Sequence, residues 1–212
     1  MSHNPWAANV KFVNNQLTVA GISATELAKE FGTPAFILDE QDFKSRAKAF
    51  TDAMKRSFDS SIVYYASKAF ICKQVVGWIN ELGMGIDVAT GGELEVALSM
   101  NFPVERIEVH GNNKSLAEID RAVSVGVGCI VIDSLQEISR VAAAAKKYGR
   151  TQSVMIRLNP GVEAHTIEAI ATAHTDVKFG LSIASGVAWD AVKEIAKYPE
   201  LELRGVHAHI GS

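Results

Sequence analysis

Cysteine is scarce: Cys72 and Cys129 are the only two, with no C-x-x-C pair between them. That excludes a disulfide framework and a paired-cysteine zinc site, and Cys129, inside the apolar run GCIVID, reads as a buried free thiol. No apolar stretch reaches 18 residues, which excludes a spanning helix. The first residues, MSHNPWAANVKF, lack the apolar core of a secretory signal, so a cytoplasmic protein without a membrane partner is expected. Net charge is only −3, which provides no basic footprint for nucleic acid. Neither G-x-G-x-x-G nor G-x-x-x-x-G-K-[ST] follows any predicted strand, so the phosphate-loop forms of an open α/β sheet lose support.

What is present is a globular composition: 212 residues, 48% hydrophobic and 21% charged. Ser23 and Glu26 have capping-box spacing ahead of ATELAKEF, and Gly32, Thr33 and Pro34 end that helix. PAFILD (34–39) is predicted as a strand, and 40–57 as an amphipathic helix with Phe43, Ala47, Phe50 and Met54 on its apolar face. Further strands are predicted at 62–66, 84–88, 106–109, 129–133, 153–158 and 203–208, separated by helical stretches such as KQVVGWINEL, LAEIDRAVSV and LQEISRVAAAAKKY. This βα alternation, with strands such as GCIVI and SVMIRL reading apolar on both faces, indicates a parallel sheet covered by helices.

The polar residues favour a barrel over an open sheet. Lys68, Asp87, His110, Asp133, Arg157, His207 and His209 all fall at or just beyond predicted strand ends, which in a (β/α)8 barrel meet at one face. Asp133, immediately before Ser134 at a helix start, reads as a cap. Lys68 closes the apolar run IVYYASKA, and two readings stand: an amine that snorkels to water, or a nucleophile that forms a Schiff base with a carbonyl. His207 and His209, two apart on a strand, point to one face. They are either hydrogen-bonded histidines of a polar barrel mouth or the start of a zinc site, the latter with Asp87, Asp133 or a modified Lys68 as further ligands.

The segments GTPAFILDE, YYASKA, GIDVATGGELEVAL, HGNNKS, RLNPGVEAHT, DVKFGLS and HAHIGS, in this order, resemble the diaminopimelate decarboxylase family. That family belongs to the pyridoxal-phosphate enzymes with an alanine-racemase-like barrel, beside ornithine and arginine decarboxylases. The resemblance implies an α/β fold, a partial (β/α)8 TIM barrel with about six of eight strands over residues 37–212, preceded by a segment of a β domain at residues 1–36. It implies pyridoxal 5'-phosphate as cofactor, an amino-acid substrate, no metal and a homodimer for the complete protein.

Carried onto this sequence, the resemblance makes Lys68 the catalytic residue that holds the cofactor by a Schiff base. His209 would lie against the pyridine ring, Arg157 would approach its phenolic oxygen and Ser212 would bind the phosphate. Asp87 and Glu93 match the family's acidic positions near the lysine, and His110 and Lys178 would line the mouth. The implied reaction converts meso-2,6-diaminoheptanedioate to L-lysine and carbon dioxide. Relative to the family pattern, two barrel strands, a glycine-rich phosphate loop, a catalytic cysteine and the substrate-gripping arginines and tyrosine are expected beyond residue 212, so a fragment is expected. The alternatives are an ornithine- or arginine-type decarboxylase, a non-catalytic pyridoxal-phosphate-binding barrel and a zinc-dependent barrel hydrolase.

Overall fold

The structure, a computed structural model, describes residues 6–161 and 179–209. Two compact units divide the chain, 1–63 and 64–212. Ser212 and Lys178, both expected at the site, lie outside the described residues.

In the first unit, β1 (Val10–Val13), β2 (Gln16–Val19) and β3 (Ile22–Ser23) form an antiparallel meander. Asn14 and Asn15, with φ of 50° and 59°, make the two-residue turn between β1 and β2, a left-handed conformation that asparagine tolerates. Helix α1 (Ala24–Phe31) begins with the predicted capping box: the Ser23 hydroxyl accepts from the Glu26 amide, and the Glu26 carboxylate accepts from the Ser23 amide. Helix α2 (Glu40–Ser57) starts at Asp39, whose carboxylate accepts from the amide of Asp42. The strand expected at 34–39 does not form. Pro34 has no amide to donate and no neighbouring strand pairs with this stretch among the described residues, which leaves Phe36 96% exposed.

The second unit runs β4 (Tyr64–Ala66), α3 (Lys73–Glu81), β5 (Gly85–Val88), α4 (Gly91–Ser99), β6 (Ile107–Val109), α5 (Leu116–Val125), β7 (Cys129–Ile132), α6 (Leu135–Lys147), β8 (Gln152–Asn159), β9 (Leu181–Ser182), α7 (Val187–Ile195) and β10 (Leu201–Ala208). The strands pair in parallel in the order β10-β8-β7-β6-β5-β4, with β9 added at the end of β8. This is the expected six-strand part of a (β/α)8 barrel, unclosed among the described residues.

One face of this sheet carries the core. Ile86, Val88, Ile107, Ile130, Ile132, Val154 and Ile156 are all fully buried, as are the facing helix residues Val76, Ile79, Ala97, Ala122, Val123, Ile138, Val141 and Ala145. Each such isoleucine is worth several kcal/mol, about 2–5 on truncation to alanine. The opposite face is not apolar throughout, contrary to the reading of SVMIRL: Ser153, Met155 and Arg157 alternate there with the buried Val154 and Ile156. Tyr64 also packs on that side, its ring so close to Gly85 that a Cβ there would stand 2.4 Å from it, so a side chain at residue 85 would force the ring to move.

In β10 the register shifts between Leu203 and Gly205. Leu203 pairs with the core residue Val154, whereas Gly205 and His207 pair with Met155 and Arg157. The irregularity at Arg204 therefore inverts the alternation and turns His207 towards the polar face, a common use of a bulge beside a site.

Strands β4 and β10 end the paired order, each with one unpaired side among the described residues, and Val206 in β10 is 59% exposed. Apolar edges recruit other chains. The 212-residue polypeptide on its own should bind hydrophobic dye and associate with rising concentration in light scattering, and Val206→Lys should weaken that association. A monodisperse sample with a cooperative thermal transition would contradict this reading.

Candidate active site

At the carboxy-terminal ends of these parallel strands lies a cleft of about 350 Å³, lined by Lys68, Asp87, His110, Asn112, Arg157, Phe179, His207 and His209 among others. Six of the seven strand-end candidates thus converge. Lys68 stands two residues past β4 on a short 3-10 turn (Ser67–Ala69) and is exposed. Asp87 is held within β5 by pairing on both sides, to Ala66 and Glu108. His110 follows β6, its amide donating to the Val88 carbonyl at 2.7 Å.

Asp133, the seventh, is not a cap. Ser134 occupies the N-cap of α6, and the Asp133 carboxylate reaches Arg157 Nη1 at 3.4 Å and accepts from the Gly180 amide at 3.2 Å. It stands behind the cleft and braces the guanidinium, which also lies over the Phe179 ring at 4.6 Å. Glu93 does not line the cleft. In the first turn of α4 its carboxylate turns back to accept from the Ala89 amide at 2.6 Å, fixing a loop that contributes Ala89 to the wall.

Glu108 and Phe179 were missed from sequence. Glu108 and the cleft residue His110 are two apart, so alternation already placed both on one face, and their side chains meet at 3.1 Å. His110 in turn meets His207 edge-to-face, with ring centroids 4.8 Å apart. The Phe179 position had no signal beyond its place in DVKFGLS.

Burial raises the Asp87 carboxyl above its ordinary range, opposed by His110 and Lys68 nearby and reinforced by Glu108 and Glu93. His207 is pushed down to about 4, first by desolvation and then by His110 and Arg157. His209 is lowered as well, by desolvation and then by Lys68 and Arg157. At neutral pH both imidazoles are uncharged, which suits contact with a flat ring. The cleft thus combines a primary amine, a braced guanidinium, two neutral imidazoles and a carboxylate. Buried His207 Nδ1 has no hydrogen-bond partner among the described residues. A phosphorylated aromatic aldehyde suits this set: the amine can condense with the aldehyde, the guanidinium can bond an anionic oxygen, and roughly 300 Å³ is enough for a small ligand. Among the described residues, no three His, Cys, Asp or Glu side chains are arranged to hold a metal ion.

The low His207 value has a stability consequence. Between pH 6.5 and about 4 the unfolded chain binds a proton that the native His207 refuses, so native stability falls as pH drops through that window. In the intact protein His207→Gln should flatten this acid limb, read as urea midpoints at pH 7.5 and 5. An unchanged slope in the variant would contradict a neutral His207.

Residues 41–212 match the family model described as pyridoxal-dependent decarboxylase, pyridoxal binding domain. Among curated relatives, diaminopimelate decarboxylase of Mycobacterium tuberculosis is 53% identical over 194 residues, covering 92% of this chain and 43% of the relative. That of Bacillus subtilis is 39% identical over 199 residues, covering 94% and 45%. The solved structure of diaminopimelate decarboxylase from M. jannaschii in co-complex with L-lysine superposes with a TM-score of 0.88 at 33% identity, covering 97% of this chain and 48% of that one. The chain spans less than half the length of each of these relatives. No described helix is long and apolar enough to cross a membrane. With 172 of its 212 residues inside the matched region, the chain belongs to the pyridoxal-dependent decarboxylases.

Proposed function

We propose that this chain forms the pyridoxal-phosphate-binding part of a diaminopimelate decarboxylase, which releases carbon dioxide from meso-2,6-diaminoheptanedioate to give L-lysine. The observation that carries the proposal is the convergence of Lys68, Arg157 and His209, from three different strand ends, on one cleft. Relatives named diaminopimelate decarboxylase, up to 53% identical, support the substrate. The division into a β-domain segment at 1–36 and a barrel at 37–212 is part of the same proposal.

Pyridoxal phosphate, when bound, supplies an electron sink for the pair left on the α carbon as the carboxylate departs. The protein's own residues do the rest. Lys68 Nζ would be the nucleophile that holds the cofactor through its aldehyde carbon. The same amine, when not bonded to the cofactor, would be placed to carry a proton within the cleft. Arg157 offers a fixed positive donor to an anionic oxygen, and its stacking on Phe179 and pairing with Asp133 support that orientation. His209, kept uncharged by its surroundings, would cover one face of the ring without repelling a protonated ring nitrogen. Asp87 would add negative charge near the amine, and Glu93 would act through the loop it fixes rather than by touching the cofactor. Ser212 would bond the phosphate.

The intact protein supplied with pyridoxal phosphate should release carbon dioxide and L-lysine from meso-2,6-diaminoheptanedioate, and little from ornithine or arginine. His209→Ala should weaken cofactor binding about tenfold, the worth of one aromatic pair, with no change in metal content. Turnover of ornithine or arginine instead would overturn the substrate assignment. Stoichiometric zinc lost on that substitution would overturn the cofactor assignment.

A further inference from the structure

Lys114 and Glu137 are nearly sealed from water, their side chains 2% and 6% exposed, yet neither lines the cleft. Lys114 is in the loop after β6 and Glu137 in the first turn of α6. The ammonium donates to the Val131 carbonyl at 2.6 Å and to the Gly111 carbonyl at 2.7 Å, and it forms an ion pair with Glu137 Oε1 at 2.6 Å. The other Glu137 oxygen, Oε2, accepts from the Asp133 amide at 2.8 Å. Asp133 then passes the chain on, through its carboxylate, to Arg157 at 3.4 Å and to the Gly180 amide at 3.2 Å. One buried ion pair thereby ties together the cleft-wall loop at Gly111, the end of β7 and the guanidinium on β8.

Two features indicate more than packing. Burying an ion pair is no efficient route to stability, since apolar residues of the same volume often serve as well. The contacts also connect a wall residue with φ of +110°, Gly111, to the Arg157 guanidinium of the same wall. We infer that Lys114 and Glu137 are positioning residues, which set the Arg157 guanidinium through Asp133 and so tune how the cleft holds pyridoxal phosphate. This rests on the proposal that Arg157 meets that cofactor.

The test is a titration of the intact protein with pyridoxal phosphate, reading both the dissociation constant and the pH midpoint of the bound-cofactor absorbance. Arg157→Met provides the reference change. Glu137→Gln, and the double variant Lys114→Met/Glu137→Met, which replaces the buried pair with apolar side chains of similar size, should each weaken binding by roughly tenfold, as loss of outer partners does at other ligand-holding sites. Both should move the absorbance midpoint in the same direction as Arg157→Met. A purely structural pair predicts otherwise: the double variant would fold and bind with the wild-type constant and midpoint, which overturns the inference. Should that variant fail to fold, Asp133→Asn takes its place, because wild-type binding and absorbance there would equally sink it. If Arg157→Met itself changes neither reading, the placement of Arg157 against the cofactor fails, and the inference with it.

Discussion

Parallel register decides which side chains reach the cleft. His207 stands opposite Arg157, and Asp87 opposite Glu108, so a slip of one residue in β5 or β8 would send Asp87 or Arg157 beneath the helices and a buried apolar side chain into the cleft. The sheet resists such a slip because its two faces differ so sharply. The helix-covered face is made of fully buried isoleucine and valine, and no charged strand residue could enter it unpaired without a large desolvation cost. The core and the site are thus two faces of one constraint.

Concentrating polar groups on the other face has its own consequences. Asp87 is raised and His207 and His209 are lowered, each chiefly because partial burial disfavours its charged form. Shifts of this kind mark a region arranged to meet a ligand more than to maximise stability. The buried Lys114–Glu137 pair behind it is consistent with that priority, since a buried ion pair is no efficient source of stability.

Periodicity made most of this architecture legible. The boundaries of α1, α2 and α5 follow from caps and apolar spacing, and the six parallel strands were visible as short apolar runs between helical ones. What escaped depends on partners distant in sequence. PAFILD has strand-like residues and no strand to pair with, Asp133 has a capping position and a guanidinium 24 residues away that claims it instead. The β1–β2 hairpin was not read from the sequence, because four-residue strands leave little alternation to read. At the site, strand-end position located six wall residues, whereas the bulge at Arg204, which aims His207, has no local signature.

The central claim is that the Lys68 amine is where the cofactor attaches. Incubating the intact protein with pyridoxal phosphate, reducing it with borohydride and mapping its peptides tests this directly, because reduction makes an amine-to-aldehyde link permanent. The account predicts one pyridoxyl label, on Lys68, and none in Lys68→Arg, whose guanidinium is effectively always protonated and cannot serve as the nucleophile. A label on any other lysine, or no label at all, would contradict it.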